Sequence, residues 1–361
     1  MAKRINIADG YLPPKETMES IKAIRKKGGV SICFFNHKGG VGKTTLVANL
    51  AAELSLEHEC KVLLIDADPQ CNLSQYVLDE EHFIELYNSD GAATKSIYEI
   101  IHPLSIGRGY TEALPVSRST DFGCDIIAGD PRLALKEDLL ATDWRDAKSG
   151  GTRGLRTTFV FRDLIRKAPD YDFILFDMGP SLGAINRAVM LAVDFFVVPI
   201  SIDIFSVWAL RNIGTAVGLW EKELSVGLRM AEDPQEFIQD SDSRKIRLLG
   251  YVTQQHKERN QSGTRRIVEA YDEINRRLPE EVAKNLQRFY NSERLDPHLG
   301  DIKNLSSLAP KSQTLHKPMT TISVRGSYTS LRKHARDMYR AIAAKLGRPW
   351  KTQAIRARMP L

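Results

Sequence analysis

Four short, unbroken apolar runs mark the first two-thirds of the chain: Val30 to Asn36 (VSICFFN), Lys61 to Asp66 (KVLLID), Asp172 to Asp177 (DFILFD) and Phe195 to Ile200 (FFVVPI). Strands without polar alternation are buried on both faces, as in a parallel sheet covered by helices. A weaker run of the same kind is Ile246 to Thr253. Helical spacing fills the intervals: Thr44 to Leu56, Thr158 to Lys167, Ala184 to Val193, Val207 to Glu223 and Thr264 to Leu278. Strand, helix, strand in that order predicts right-handed parallel crossovers. The fold class expected is therefore α/β, a doubly wound, mostly parallel sheet flanked by helices.

The ends read differently. Residues 1–29 form an N-terminal arm in which Pro14 opens a helix, Met18, Ile21 and Ile24 share a face, and Gly28-Gly29 stops it. The arm is too short for a helix-turn-helix domain with its linker. One domain is expected over residues 30–346, with loops or insertions at about 142–157 and 231–244, and a basic tail over 347–361. Tyr328 to Leu346 predicts a terminal helix whose stripe is Leu331, Ala335, Met338 and Ile342, with Arg332, Lys333, Arg336 and Arg340 mostly outside it. Its small Ala335 suits docking against the sheet.

Composition alters this picture only through charge. Hydrophobic residues are 42% and charged residues 27%, which excludes a disordered or collagen-like chain. Net charge is +6, yet residues 325–361 hold ten Lys/Arg and one acid, leaving a mildly acidic body. A basic end suits a polyanion, either nucleic acid or an anionic membrane surface. No run reaches the length of a membrane span, and no apolar stretch of a secretory signal follows Lys3 and Arg4. Cys33, Cys60, Cys71 and Cys124 show no zinc spacing and read as buried free thiols of a reducing cytoplasm.

The chemistry starts at Lys38 to Thr45, K-G-G-V-G-K-T-T. This fits the phosphate-loop pattern G-x-x-x-x-G-K-[ST] only with another residue in place of the first glycine, but strand, glycines, Lys-Thr and helix all coincide. Backbone N–H groups of Gly39, Gly40, Val41, Gly42, Lys43, Thr44 and Thr45 would face phosphate oxygens, helped by the helix N-terminus. Lys43 would bridge the β and γ phosphates and Thr44 would hold Mg²⁺. Asp177, ending an apolar strand, is a second candidate for the metal.

The segment KGGVGKTT resembles the deviant Walker A motif of the ParA/MinD family of P-loop ATPases. Further patches are similar to that family: VLLIDADPQCNL (Val62 to Leu73), DFILFDMGPSLG (Asp172 to Gly183), VPISIDIFSVWAL (Val198 to Leu210) and LSSLAPKSQTLHKP (Leu305 to Pro318). The resemblance implies that ATP and Mg²⁺ are bound and that ATP closes a homodimer in which Lys38 reaches the partner's phosphates. It implies that Asp68 orients the attacking water, that Asp66 supports the metal, and that Thr253, Gln254 and Pro318 lie near the base. One departure is Met178-Gly179-Pro180-Ser181, where the family often carries two prolines.

The Asp68-Pro69-Gln70 form resembles the ParA-like partitioning branch. That branch implies nonspecific DNA binding, a ParB-like or cargo-adaptor protein that stimulates hydrolysis, and a cytoplasmic, nucleoid-associated location. DNA candidates are Arg265, Arg266, Arg276, Arg277, Lys303, Arg332, Lys333, Arg336 and Arg340. The competing expectation is a MinD-like ATPase that lays the Tyr328 to Leu346 helix on a membrane. An iron–sulfur reductase subunit would need paired cysteines, which Cys71 and Cys124 do not supply. A nucleotide-binding scaffold without turnover is opposed by the presence of Lys43, Asp66, Asp68 and Asp177 together.

Overall fold

The structure is a computed structural model. It describes residues 11–87, 95–238, 245–254, 264–290, 296–303, 305, 307–323 and 328–346, with the backbone alone over 264–271. The strands are β1 (Val30–Phe34), β2 (Val62–Asp66), β3 (Ser117–Ser119), β4 (Cys124–Ile127), β5 (Phe173–Asp177), β6 (Phe195–Ser201), β7 (Arg247–Gln254) and β8 (His298–Ile302). They form one sheet in the order β3-β4-β2-β5-β1-β6-β7-β8, parallel except for the β3–β4 pair. This is the expected α/β class.

The helices are α1 (Lys15–Lys26), α2 (Lys43–Ala52), α3 (Asn72–Val77), α4 (Glu80–Tyr87), α5 (Tyr98–Ser105), α6 (Glu137–Lys148), α7 (Thr152–Thr158) and α8 (Val160–Arg166), then α9 (Ala184–Ala192), α10 (Ile204–Met230), α11 (Gln235–Ile238), α12 (Thr264–Leu286), α13 (Leu308–Thr314) and α14 (Tyr328–Leu346). They cover both faces of the sheet. The period of two sorts each central strand: Ile32 and Phe34 join a core with Leu46 and Leu50 of α2 and Tyr339 of α14. Cys33 and Phe35 join the opposite core with Leu164 of α8, Val189 of α9 and Ile213 of α10. All five residues of β1, β2 and β5 are buried, which is why these strands read as continuous apolar runs.

The arm helix α1 begins after Pro14, as its sequence predicts, and sets Ile21 and Ile24 into the first of these cores. Strands β3, β4 and β8 had no apolar run to betray them; β8 reads His-Leu-Gly-Asp-Ile. The stretch 142–157 corrects the sequence reading. It is the end of α6, a Ser149-Gly150-Gly151 turn and most of α7, not a surface loop. Trp144, Ala147 and Leu155 carry it into the core. A Cβ on Gly154 would stand 2.2 Å from the Asp143 carbonyl oxygen, so the missing side chain lets two helix backbones touch. Of the second expected insertion, 235–238 is the short α11, and residues 239–244 lie outside the described residues.

Candidate functional site

Parallel strands present their C-terminal ends to one edge, where α/β proteins bind ligands. In this sheet β1 lies between β5 and β6, and register aligns Asp177 with both Phe34 of β1 and Asp66 of β2. The phosphate loop and two acidic strand ends, distant in sequence, thus become neighbours.

Asn36 sets the start of the loop, one residue before His37, which stands where the pattern calls for glycine. The Asn36 amide donates to the Pro199 carbonyl at 2.8 Å, and its side-chain oxygen accepts from the Lys38 N–H at 2.9 Å. The buried Lys43 ammonium turns back to the carbonyls of Asn36 (3.1 Å) and Lys38 (3.3 Å). Burial pulls its pKa down, opposed by Asp177 and Asp68. Gly42, at φ +71°, occupies the left-handed region just before α2, and a Cβ there would collide with the Gln254 amide at 2.5 Å. Side chains at Gly39 and Gly40 would meet nothing within 4 Å, so the loop leaves open the volume that phosphates need.

Gly39, Gly40, Gly42, Lys43 and Gln254 line a cavity of about 1040 Å³ with Thr44, Thr45, Asp68 and Gln70. Thr44 Oγ1 donates to Asp177 Oδ2 at 2.6 Å. Burial, then the nearby Asp66, pushes the Asp177 carboxyl up to about 8. A hydroxyl and a carboxylate at the foot of a phosphate cradle fit Mg²⁺, which takes few protein ligands and keeps waters and phosphate oxygens. Among the described residues no cluster of three or more His, Cys, Asp or Glu side chains could hold a metal by itself.

The two early aspartates separate. Asp68 borders the cavity, and its Oδ1 accepts from the Gln70 N–H at 3.0 Å. A Cβ on Gly179 would sit 3.2 Å from that oxygen, which places the departure from the double proline directly beside Asp68. Asp66 is fully buried, and its Oδ2 already accepts from the Ser74 N–H (2.8 Å) and Ser74 Oγ (2.7 Å). It holds the start of α3 and, like Asp177 with which it is in register, lies behind the residues that line the cavity.

Lys38 pairs with Asp203, the residue that caps α10 by accepting from the Ser206 N–H at 3.1 Å. Of the residues expected near the base, Gln254 reaches the cavity, whereas the buried Thr253 turns its hydroxyl to Asp301. Pro318 is buried and does not line the cavity; Gln313, Thr314 and His316 form that wall. Sequence reasoning missed Asn49, which ties this wall to α2. Asn49 accepts from the Met319 N–H at 2.8 Å and donates to the Tyr76 hydroxyl at 2.9 Å, and that hydroxyl meets Ser312 Oγ at 2.6 Å.

The basic candidates scatter. Lys303, Lys333 and Arg276 are exposed, and Arg277 pairs with Glu273 and Glu281 of its own helix. Arg332 donates to the Ile322 carbonyl and Arg336 to the Thr320 carbonyl, both at 3.2 Å. Arg340 lies 3.2 Å from Glu57 and over the Tyr11 ring at 3.6 Å, so this nearly buried side chain holds α14 in place and leaves the DNA set. The side chains of Arg265 and Arg266 lie outside the described residues.

The family model described as an AAA domain matches residues 29–230, more than half of the chain. The chain belongs to this family, among the ParA-like P-loop ATPases. It is 28% identical over 205 residues to the chromosome partitioning protein ParA of Myxococcus xanthus, covering 56% of this chain and 62% of the relative. It is 31% identical over 192 residues to a probable plasmid-partitioning protein ParA of Thermus thermophilus, covering 53% and 51%. The matched region thus spans under two-thirds of either relative. A solved Corynebacterium diphtheriae protein is similar with TM-score 0.62 and 28% identity, over 80% of this chain and 97% of that one. The Cyanothece McdA–ATP complex shares the fold at TM-score 0.56 and 18% identity, over 87% and 96%.

Proposed function

We propose that this protein is a Mg-ATP-driven switch of the partitioning type: ATP closes a homodimer, the dimer binds DNA without sequence preference, and hydrolysis stimulated by a ParB-like or cargo-adaptor protein releases it. The observation that carries this reading is the open glycine cradle, with Lys43, Thr44 and Asp68 facing one cavity. The partitioning proteins among its relatives support the cellular role.

In this reading, N–H groups of Gly39 to Thr45 hold the α and β phosphates, and the Lys43 ammonium leaves its carbonyl partners for the β and γ phosphates. Thr44 and Asp177 would hold Mg²⁺, which neutralises phosphate charge when bound. Asp68, fixed by the Gln70 N–H, accepts a hydrogen bond from the attacking water and aims it. Lys38 leaves Asp203 to reach the partner's nucleotide. The dimer lies on the nucleoid, and its cationic contacts come from Lys303, Lys333 and their neighbours.

The MinD-like alternative needs a free apolar face on α14. Ala335, Tyr339, Ile342 and Leu346 of that helix are buried, and no helix among the described residues is long and apolar enough to cross a membrane. DNA retention with ATP, ADP and no nucleotide across a salt series tests the proposal. Binding that requires ATP and weakens steeply with salt is expected. No binding in any state would sink the DNA reading. Lys43→Ala should lose both turnover and ATP-dependent retention. Asp68→Ala should stop turnover and trap the ATP-bound dimer; full turnover would remove the water-orienting role.

A further inference from the structure

One buried side chain gathers the loop that joins Asp177 to α9. Asn186, the third residue of α9, is 2% exposed. Its amide donates to the carbonyls of Gly179 and Ser181, both at 2.7 Å, and to Ser181 Oγ at 3.2 Å. Carbonyl oxygens only accept, so the NH₂ end of the amide must face them. The Ser181 N–H closes the same turn onto the Gly179 carbonyl at 3.0 Å. Glycine has the widest backbone freedom of any residue, so Gly179 is where this turn would otherwise give way. The two ends of the loop are held by other groups: Thr44 bonds Asp177, and Glu137 takes the N–H groups of Ala184 and Ile185.

The turn stands against Asp68. A Cβ on Gly179 would lie 3.4 Å from Asp68 Cγ and 3.6 Å from its Oδ2, so Gly179 flanks the whole carboxylate and not one oxygen alone. Pro180, the next residue, lines the cavity. We propose that Asn186 is a positioning residue for hydrolysis: by pinning the Gly179 and Ser181 carbonyls it sets the turn against Asp68, and so fixes the direction in which that carboxylate meets the attacking water. The inference rests on the water-orienting role proposed above for Asp68 and names what aims it. Asn186 is not among the residues lining the cavity, so it acts through the turn and touches no reacting atom. The phosphate cradle and Lys43 are made by a different loop. Loss of Asn186 should therefore slow the chemical step and spare nucleotide binding.

The test compares the unaltered full chain with Asn186→Leu and Val189→Ala. Leucine keeps the volume of asparagine and removes its donors. Val189 is a control on the same helix, one turn on and fully buried in the core. Release of γ-phosphate from saturating Mg-ATP gives kcat, a fluorescent ADP analogue gives nucleotide affinity, and hydrogen exchange in nucleotide-free protein reads the amides of residues 178–183. Asn186→Leu should speed exchange over 178–183 and lower kcat about 10- to 100-fold, as a small misplacement of a reacting group does, with ADP affinity unchanged. Val189→Ala should lower the melting temperature and leave kcat and the exchange of the loop as they were. Unaltered exchange in Asn186→Leu would overturn the clamp. Faster exchange with unaltered kcat would overturn its bearing on Asp68. Losses of kcat that merely follow the melting temperature in both variants would reduce Asn186 to a structural role and overturn the inference. Absence of turnover in the unaltered protein would bring down the hydrolysis reading itself, and this inference with it.

Discussion

At the scale of the residue, Asp66 and Asp68 stand two positions apart and answer to different surroundings. Burial pushes the Asp66 carboxyl up to about 6 from the ordinary 3.8. The folded state therefore holds a proton that the unfolded chain releases, so stability falls as pH rises from about 4 to about 6, by roughly 3 kcal/mol in all. Asp66→Asn should flatten that part of the melting profile. Its NH₂ cannot accept from donors that meet a carboxylate, so it should also cost about 2 kcal/mol at neutral pH, with turnover per folded molecule preserved. Asp68→Asn should do the reverse, losing turnover at little cost in stability. Melting scans against pH, paired with phosphate release, read both. The sequence showed two acids at a strand end. It could not show their division, because Ser74 settles it by turning back onto Asp66 from the next helix. Lys43 and Thr44 were legible because a glycine loop between strand and helix is a purely local pattern. Gln313 and His316 were not, because Asn49 brings that wall to the cavity across most of the chain.

At the scale of the element, the legible helices and strands are those whose periodicity is uninterrupted. The α6–α7 pair was illegible because glycine and arginine, which suggest a loop when read singly, serve a close crossing here. Gly154 admits the Asp143 carbonyl oxygen and Gly227 of α10 admits that of Ala147, so three helices meet backbone to backbone. Gly154→Val should separate them and destabilise the fold by about 3 kcal/mol, read as a lower urea midpoint. The pair also braces the loop that brings Pro180 to the cavity. The Glu137 carboxylate accepts from the Ala184 and Ile185 N–H groups at the start of α9, where negative charge suits a helix N-terminus. It fixes the far end of the loop that runs from Asp177 past Gly179.

At the scale of the whole molecule, the sheet decides which charges are available to a partner. The basic end read from the sequence is uneven in space, since Arg340 is tied to Glu57 while Lys333 on the same helix stands in solvent. Lys303→Ala and Lys333→Ala should each lower the salt slope of DNA retention by about 0.9, one phosphate contact apiece. Arg340→Ala should leave the slope alone and lower the melting temperature. The strand order also governs how the molecule can be made. The phosphate loop follows β1, which ends at residue 34, yet its two flanking strands begin at residues 173 and 195. During synthesis at about 5–20 residues per second, that apolar strand leaves the ribosome many seconds before either neighbour exists. The phosphate loop is thus made early and flanked by its strands late, and a growing chain must keep Val30–Phe34 from foreign strands throughout that interval.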